Sequence, residues 1–191
     1  GGGRDIGAAV ALKLAAEGAN VAINYFSSRE GADAVVAKII SNGGKAFAMQ
    51  GDLTNQSDVD ALVNKTISEF GGINVLVNNA GGLVARKTIS DMALDHWNHV
   101  MDLNVTSIFM ITKACIEHIE TGAIVNLSSQ AGRDGGGPGA VAYATAKGAV
   151  MSMTRGLAKE LGPNIRVNAL CPGMIDTDFH NVHTPDASRR G

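Results

Sequence analysis

Two residues of one helical segment have types and spacing suited to proton transfer. Tyr143 precedes Lys147 by four positions, so both side chains lie on one face of a helix, about one turn apart. A lysine ammonium beside a phenol favours the phenolate and is expected to lower the tyrosine pKa. Ser129, at the end of the preceding apolar run, could hydrogen-bond the same substrate oxygen. Together they predict proton transfer at a carbonyl oxygen while a hydride moves at carbon.

The Tyr-x-x-x-Lys spacing is a weak signal by itself, because many helices carry such a pair on a solvated face. It gains weight from a glycine-rich start, in which Gly1, Gly2 and Gly3 precede Gly7 and an amphipathic helix. Glycines let the backbone approach a pyrophosphate, and a helix N-terminus favours its negative charge. A flexible tail is the alternative, but Gly7 costs helix stability and so favours binding. The predicted dinucleotide contacts here are Gly1, Gly3, Arg4 and Ile6.

The segment from Asn24 to Arg29, after the first strand-like run, bears on the choice of dinucleotide. NAD sites usually place an acidic residue here to bind the ribose 2′-hydroxyl, and this segment has none. Arg4 and Arg29 could instead bind a 2′-phosphate, with Ser27 and Ser28 as further donors. The sequence therefore predicts NADP(H) as the preferred cofactor, with NAD(H) as the alternative. Arg29 could also be only a solvated residue of the next helix.

Turns after later strand-like runs predict the rest of the cofactor site. Asp52 and Leu53 could face an adenine. Small residues after the next run could let a ribose lie against the backbone; these are Asn79, Ala80 and Gly81. As isolated strings, both are more often plain turns. The backbone after the last run could hold a nicotinamide carboxamide, and the predicted contacts there are Pro172, Gly173, Ile175 and Thr177.

Asn104 lies within an otherwise apolar helical stretch from about 91 to 119. An asparagine there is either an oddity of packing or a polar relay that bends the backbone. We therefore treat Asn104 as a fourth candidate catalytic residue, beside Ser129, Tyr143 and Lys147.

Short apolar runs alternate with helical stretches, which predicts a buried parallel sheet with right-handed crossovers. The predicted strands are 20–25, 45–50, 75–78, 123–127 and 166–170, and the predicted helices are 6–17, 30–41, 57–69, 91–119 and 143–160. The fold class is α/β, a Rossmann-type doubly wound parallel sheet with helices on both faces, forming a single domain over 1–191. The sequence begins inside a glycine loop, and such a sheet needs a strand before that loop. We expect the first strand and C-terminal elements to be missing.

The composition argues against several classes of protein. A formal net charge of −2 over 191 residues gives no basic excess for nucleic acid or an anionic membrane, and the apolar runs are too short for a membrane span. Cys115 and Cys171 lie in apolar contexts and are expected to be reduced and buried, which favours a cytoplasmic location. His180 and His183 lie in a loop without rigid spacing, so no metal site is expected.

These motifs together resemble the short-chain dehydrogenase/reductase family over almost the whole chain. The matching stretches are the glycine loop at 1–7, Asp52, 78–81, Asn104, Ser129, Tyr143 with Lys147, and Pro172 with Gly173. Within that family, Arg4 and the strand end at Asn24 and Tyr25 are most similar to the 3-oxoacyl-[acyl-carrier-protein] reductases.

The resemblance implies a role for each candidate catalytic residue. Tyr143 would be the general acid in carbonyl reduction and the general base in alcohol oxidation. Lys147 would lower the Tyr143 pKa and bind the nicotinamide ribose. Ser129 would orient the carbonyl oxygen, and Asn104 would hold a water that relays protons to Lys147. The hydride chemistry itself belongs to the nicotinamide.

Three departures from the family pattern matter. Asp5 stands where the loop commonly has glycine; it could cap the next helix, but a carboxylate disfavours a nearby pyrophosphate unless Arg4 screens it or it points away. The Ser129 to Tyr143 spacing is 14, one more than in the bacterial fatty-acid enzymes, with the extra residue in the glycine run. Residues 117–121 are acidic where those enzymes dock an acidic carrier protein. We therefore expect a small-molecule carbonyl or alcohol substrate.

The same fold could instead serve a non-catalytic NADP(H)-binding sensor or scaffold. The presence of Ser129, Tyr143, Lys147 and Asn104 together argues against that alternative, because a binding protein requires none of this set. The family resemblance also implies a homo-oligomer, either a dimer or a tetramer.

Segments around the expected site carry two further predictions. Residues 174–191 are expected to form a mobile lid over the substrate. Arg86, Lys87 and Arg133 would line the mouth of the site, where they could pair with a substrate carboxylate or phosphate. Solvated surface positions are the more common role for such residues.

Overall fold

Helices and parallel strands alternate along residues 1–177, the part of the chain that the computed structural model describes. The first elements are α1 (Asp5–Ala16), β1 (Val21–Tyr25), α2 (Arg29–Ser41), β2 (Ala46–Gln50) and α3 (Gln56–Phe70). They are followed by β3 (Val75–Asn78), α4 (Leu94–Met101), a π-helical turn (Asp102–Thr106), α5 (Ser107–Ile116), β4 (Gly122–Leu127), α6 (Ala131–Asp134), α7 (Val141–Leu161) and β5 (Ile165–Leu170). All five predicted strands are confirmed, each to within one residue at either end.

The helix predictions are confirmed with two corrections. The stretch expected over 91–119 is shorter, running from Leu94 to Ile116, and the π-helical turn interrupts it. The sequence does not predict α6, because a helix of four residues is too short to leave a periodic pattern.

The chain packs as two compact units. One comprises Gly1–Ile73 with Met110–Ile119, and the other comprises Asn74–Phe109 with the residues from Glu120 onward. The single domain expected over 1–191 stays a prediction, and each unit is described by itself below.

Each unit contains its own parallel sheet. In the first, β1 pairs with β2, with Val21 opposite Ala46. In the second, the strand order is β3-β4-β5, with Val75 opposite Ala123. The α/β doubly wound class is confirmed, and the described strands form one parallel sheet in each unit.

The first unit is held together by apolar faces of α1 and α2 on β1. Ala11 of α1, Ile23 of β1 and the α2 residues Ala32, Val35 and Ile39 are buried in one cluster. The α2 positions are spaced by three and four, which places them on one face of the helix. This cluster fixes the start of α1, where the glycine-rich loop ends.

In the second unit, α7 buries one side of its first two turns. Ala142 and Ala146 of α7 form a cluster with Val100 of α4, and Trp97 and Tyr143 pack against it. Strand β4 is buried along most of its length, as expected for a parallel strand covered on both faces. The rotation of α7, and therefore the direction of its Tyr143 side chain, follows from this packing.

The described helices and polar side chains bear on two further classes of site, membrane spans and metal centres. Over residues 1–177, no helix combines the length and apolar character needed to cross a membrane. The same residues bring together no group of three or more His, Cys, Asp or Glu side chains that could bind a metal ion. Cys115 is buried as expected, whereas Cys171 is half-exposed, and both are free thiols. His180, His183 and the part of the expected lid beyond Thr177 lie outside the described residues.

Candidate active site

Tyr143 and Lys147 lie one turn apart on α7, and the structure brings Ser129 to the tyrosine. The Lys147 Nζ is 5.7 Å from the centroid of the Tyr143 ring. The Ser129 side chain forms a hydrogen bond with the Tyr143 side chain. Its Oγ also accepts a 3.2 Å hydrogen bond from the backbone N–H of Ala131, at the start of α6. Ser129 is therefore oriented by the chain that follows it, and the three predicted residues form one group.

The Tyr143 pKa differs from the sequence expectation. Burial raises the pKa of Tyr143 above its ordinary value, and the hydrogen bond with Ser129 only partly offsets that effect. The net shift is upward because removal of the phenol from water outweighs the neighbouring groups, and a lowering of the Tyr143 pKa by Lys147 stays a prediction. Tyr143 is therefore held as the neutral phenol, the form that donates a proton.

Lys147 is almost completely buried, with 3% of its surface exposed. Its Nζ donates a 2.8 Å hydrogen bond to the Leu127 carbonyl at the end of β4. Burial lowers the pKa of Lys147 to about 8. The ammonium is thus anchored to the strand that leads to Ser129, and it loses its proton more readily than an exposed lysine.

Asn104 occupies the π-helical turn and is fully buried. Its Nδ2 donates to the Val100 carbonyl at 2.8 Å and to the Gly82 carbonyl at 2.9 Å, while its Oδ1 accepts from the Gly82 N–H at 3.0 Å. A side chain that takes the carbonyl four residues back competes with the helix ladder, which accounts for the local bulge. Of the two sequence interpretations, the backbone-bending one is confirmed. A water relay from Asn104 to Lys147 stays a prediction.

Gly81 lies close to the side chains of both Asn104 and Lys147. Its φ is +154°, and a Cβ built on it would lie 2.6 Å from Asn104 Oδ1 and 3.0 Å from Lys147 Nζ. A side chain has no room there, so the glycine permits the close approach of backbone to both polar groups. The predicted small-residue turn at Asn79, Ala80 and Gly81 is thus placed beside the candidate catalytic residues.

The turn after β5 also runs close to Ser129. The carbonyl of Pro172 accepts a 2.9 Å hydrogen bond from the backbone N–H of Gln130, the residue after Ser129. Further along, Thr177 Oγ1 donates to the Ile175 carbonyl at 3.2 Å. The segment predicted to hold the nicotinamide, Pro172, Gly173, Ile175 and Thr177, therefore begins at the candidate active site.

A chain of buried polar side chains lies behind these residues and is missed by the sequence analysis. Asn78 Nδ2 donates to Asn126 Oδ1 at 2.8 Å, and Asn126 Nδ2 donates to Thr154 Oγ1 at 2.9 Å. These bonds link β3, β4 and α7. The available signal is an asparagine in the middle of the apolar strand 122–127, because a buried amide requires partners.

In the first unit, the predicted phosphate loop lies against the start of α2. A Cβ built on Gly31 would be 2.2 Å from the Gly3 carbonyl oxygen, and one on Gly3 would be 2.9 Å from Ser28 Oγ. Gly1 and Gly2 both donate to the Asn24 carbonyl. Gly31 is a further residue that the sequence analysis misses, since a lone glycine in a helix does not by itself indicate a close contact.

The start of α1 corrects the role expected for Asp5. Arg4, not Asp5, is the residue that precedes the helix, and no side chain caps the first turn there. Asp5 is the first helical residue, with φ of +49°, a conformation that favours glycine. Its carboxylate lies 3.9 Å from the Arg4 Nε. The uncapped amides and the glycine cradle fit a pyrophosphate, with Arg4 placed to screen Asp5.

The residues predicted to bind a 2′-phosphate are at the surface. Ser27 and Arg29 are exposed, and Ser28 is half-exposed beside Gly3. The Arg29 Nε is 3.8 Å from the Asp33 carboxylate, one turn along α2. An exposed pair of this kind is weak, so Arg29 stays available to an anion.

Asp52 and Leu53 follow β2, as expected. The Asp52 carboxylate accepts hydrogen bonds from the Thr54 N–H at 2.8 Å and from the Thr54 hydroxyl at 2.7 Å. Asp52 therefore shapes its own turn, which is the plain-turn interpretation, and its contact with an adenine stays a prediction. Leu53 is half-exposed beside it.

Comparisons with known proteins identify relatives of this chain. The family model described as short chain dehydrogenase matches residues 1–188. A 3-oxoacyl-[acyl-carrier-protein] reductase of Synechocystis sp. is 45% identical over 184 residues, which cover 94% of this chain and 73% of that protein.

Two solved structures are similar to this chain in fold. A short chain dehydrogenase of Burkholderia cenocepacia in complex with NADP is 40% identical with a TM-score of 0.89, covering 94% of this chain and 74% of that one. An NADH-dependent reductase, A1-R′, described as responsible for alginate metabolism, is 34% identical with a TM-score of 0.84, covering 90% and 73%.

Proposed function

This chain belongs to the short-chain dehydrogenase family, and we propose that it is an NADP(H)-dependent oxidoreductase acting on a ketone or secondary alcohol. The observation that carries the proposal is the group formed by Ser129, in the turn between β4 and α6, and by Tyr143 and Lys147 on α7. A protein that only binds a dinucleotide has no need of a buried lysine beside a phenol that is bonded to a serine. The non-catalytic sensor or scaffold is therefore not favoured.

The residues of the second unit perform the proton chemistry in this proposal. A bound nicotinamide supplies or accepts the hydride at the substrate carbon. In reduction, the Ser129 hydroxyl donates a hydrogen bond to the carbonyl oxygen, and Tyr143 transfers its phenolic proton to that oxygen as the alcohol forms. The positive charge of Lys147 stabilises the resulting phenolate, because the ammonium lies 5.7 Å from the ring and is shielded from water. In oxidation the proton returns to Tyr143.

NADP(H) is the proposed cofactor, with NAD(H) as the alternative. The cradle at Gly3 and Gly31 would hold the pyrophosphate, and Arg4 and Arg29 would bind the 2′-phosphate together with Ser27 and Ser28. The side chains of Arg4 and Arg29 are 74% and 75% exposed, and their ion pairs within the protein are long, at 3.9 and 3.8 Å. Both guanidinium groups can therefore bind an added phosphate. Asn79, Ala80, Pro172 and Gly173 would line the nicotinamide half.

The proposed substrate class is a small carbonyl compound, with 3-oxoacyl thioesters as candidates. The relatives named as 3-oxoacyl-[acyl-carrier-protein] reductases support the thioester. The acidic residues Glu117 and Glu120 would repel an acidic carrier protein, so a free thioester is favoured over a carrier-bound one. We also propose a cytoplasmic location, which two unpaired cysteines favour, and a homo-oligomer, a dimer or a tetramer, as the family resemblance implies.

The proposal is tested by measuring NADPH and NADH consumption with a panel of ketones that includes acetoacetyl-coenzyme A and ethyl acetoacetate. Tyr143→Phe should lower turnover by roughly three orders of magnitude or more, within the range of a lost general acid, while NADPH binding survives. Near-normal turnover in Tyr143→Phe would exclude the mechanism. Tight NADPH binding with no reduction across the panel would favour the non-catalytic alternative.

A further inference from the structure

Two irregular segments of the second unit meet in front of α7. The first follows β3, begins at Asn79 and contains Arg86 and Lys87. The second, 135–140, joins α6 to α7 and leads directly into the helix that carries Tyr143. This second segment contains the glycine run, which is three glycines at 135–137 followed by Pro138 and Gly139. Contacts between the two segments therefore bear on the placement of Tyr143.

Arg86 and Lys87 hold the glycine run by two hydrogen bonds. The Arg86 Nη1 donates to the Pro138 carbonyl at 2.9 Å. The backbone N–H of Lys87 donates to the Gly139 carbonyl at 3.0 Å. We refer to these four residues, Arg86, Lys87, Pro138 and Gly139, as the arginine clasp.

Gly139 permits the close approach that the clasp requires. Its φ is +76°, and a Cβ built on it would lie 3.0 Å from Arg86 Cβ and 3.1 Å from the Lys87 nitrogen. Gly135 and Gly136 also have positive φ, at +87° and +68°. Because glycines lose the most conformational freedom on folding, a run of them holds no fixed shape unless outside contacts impose one.

The shape of the glycine run determines where α7 starts. Ala140 follows Gly139, is 3% exposed, and accepts a 2.8 Å hydrogen bond from the Ala144 N–H in the first turn of α7. Tyr143 lies in that first turn, and its partner Ser129 lies at the other end of the intervening segment. A displaced glycine run would shift Tyr143 relative to Ser129.

We propose that Arg86 is a positioning residue, whose hydrogen bond to the Pro138 carbonyl sets the start of α7 so that Tyr143 meets Ser129. This inference rests on the proposed function, since it concerns the geometry of the same proton transfer. The sequence left open that Arg86 pairs with a substrate carboxylate or phosphate, and the positioning role is proposed instead of that pairing. The guanidinium acts through the backbone of the clasp and does not contact the reacting atoms.

The test compares Arg86→Met, which keeps the aliphatic stem but loses the donors, with Lys87→Met. The second variant removes an equal charge from the adjacent exposed position and keeps the backbone N–H that binds Gly139, so it controls for charge. With ethyl acetoacetate, which carries neither a carboxylate nor a phosphate, we expect kcat to fall roughly tenfold in Arg86→Met, as for a small misplacement of a catalytic group, with an unchanged NADPH dissociation constant. Lys87→Met should stay near the parent value, and Arg86→Lys should lie between the two.

The pH profile separates positioning from a general loss of stability. The Ser129 hydrogen bond lowers the Tyr143 pKa, so a weakened bond should move the profile for alcohol oxidation to higher pH in Arg86→Met only. Amide exchange of the segment 137–143 should also speed up in that variant. An unchanged kcat and pH profile in Arg86→Met would overturn the proposal, and so would an equal effect of Lys87→Met.

Gly139→Ala and Arg86→Lys provide a second test of the contact between Arg86 and the glycine run. If Arg86→Met does not fold, Arg86→Lys and Gly139→Ala take its place, and both must lower kcat and shift the profile. If the unaltered protein reduces no ketone, or Tyr143→Phe keeps its turnover, the proposed function fails instead. In that case the amide-exchange contrast between Arg86→Met and Lys87→Met still decides whether Arg86 holds the glycine run.

Discussion

The ammonium of Lys147 lies 5.7 Å from the centre of the Tyr143 ring and donates its hydrogen bond to the Leu127 carbonyl. The Tyr143 side chain is hydrogen-bonded to Ser129, and this bond lowers the Tyr143 pKa against the effect of burial. Burial raises the Tyr143 pKa and lowers the Lys147 pKa, and both shifts favour the neutral form of the side chain. This combination keeps a proton on Tyr143 and makes the charge of Lys147 sensitive to pH just above neutrality.

The first prediction concerns Ser129→Ala and the pH dependence of alcohol oxidation. Oxidation requires deprotonated Tyr143, and the Ser129 hydrogen bond lowers the pKa of that phenol against the effect of burial. Removing the hydroxyl should raise the Tyr143 pKa and shift the rise of the oxidation rate to higher pH. The measurement is kcat/KM for a secondary alcohol with NADP⁺ from pH 6 to pH 11, values chosen to span roughly the ordinary tyrosine range.

Ser128→Ala is the matched control for that variant. Ser128 is the adjacent residue, and its hydroxyl donates to the backbone carbonyl of Lys147 at 2.7 Å rather than to Tyr143. Its loss should lower the free energy of unfolding by about 1 kcal/mol without moving the pH profile. Equal profiles for Ser129→Ala and the parent protein would show that Ser129 does not set the Tyr143 pKa.

The second prediction concerns the pH dependence of stability in Lys147→Met. The native pKa of Lys147, about 8, lies below its ordinary value of 10.5. Between these values the unfolded chain binds more protons than the native state, so stability rises with pH across this window and is lowest below pH 8. The parent protein should therefore gain about 2 kcal/mol relative to Lys147→Met between pH 7 and pH 10.

Urea unfolding of both proteins across that range provides the measurement. The comparison between variants is necessary because burial raises the pKa of Cys115 to about 12 and also raises that of Tyr143. Those two groups make the native state lose stability as pH rises, and because both are present in the two proteins, the comparison removes most of their effect. Parallel stability curves would mean that Lys147 keeps an ordinary pKa in the native protein.

Local periodicity predicts most of the elements, and spacing within α7 predicts the partnership of Tyr143 and Lys147. Both depend on residues a few positions apart, where helix and strand geometry restrict the outcome. The Tyr143 pKa could not be predicted in the same way. Its direction depends on how much of the phenol is buried, and the cluster against which Tyr143 packs includes Val100, which is distant in sequence.

Contacts over long sequence separations account for the other misses. Asn126 and Thr154 are 28 positions apart, and only the packing of β4 against α7 makes them partners. The role of Gly31 depends in the same way on the path of Gly3, which lies before another strand. For Asp5, the sequence suggests a capping side chain, but the backbone turn that precedes α1 places it one residue later, inside the helix.

The third prediction concerns Gly81→Ala. At φ of +154°, with Asn104 Oδ1 only 2.6 Å from the new Cβ, alanine would strain the backbone and displace either Asn104 or Lys147. We expect a loss of about 2 kcal/mol in the free energy of unfolding. We also expect kcat to fall by at least the factor to which that energy corresponds, roughly thirtyfold. Gly82→Ala is the control, because the nearest atom to its Cβ is Leu103 Cδ2 at an ordinary 3.8 Å. Similar kcat values for the two variants would contradict the assigned role of Gly81.

The fourth prediction concerns two helical glycines that should respond to alanine in opposite ways. Alanine in place of an exposed helical glycine normally stabilises a helix by about 1 kcal/mol. Gly156 in α7 has no atom within 4 Å of a built Cβ, so Gly156→Ala should show that gain. Gly31 in α2 has the Gly3 carbonyl oxygen at 2.2 Å, so Gly31→Ala must push the glycine loop away and should destabilise the protein instead.

The same pair of variants shows whether NADPH affinity depends on the position of the glycine loop or only on helix stability. Displacement of Gly3 moves the backbone that would face the pyrophosphate, so Gly31→Ala should weaken NADPH binding at least tenfold, equivalent to about 1.4 kcal/mol. Gly156→Ala should bind NADPH as the parent does. Fluorescence titration measures both constants, and thermal unfolding measures both stabilities. Unchanged NADPH affinity in a destabilised Gly31→Ala would show that the loop position is not what the dinucleotide recognises, and the phosphate site would then have to be sought elsewhere.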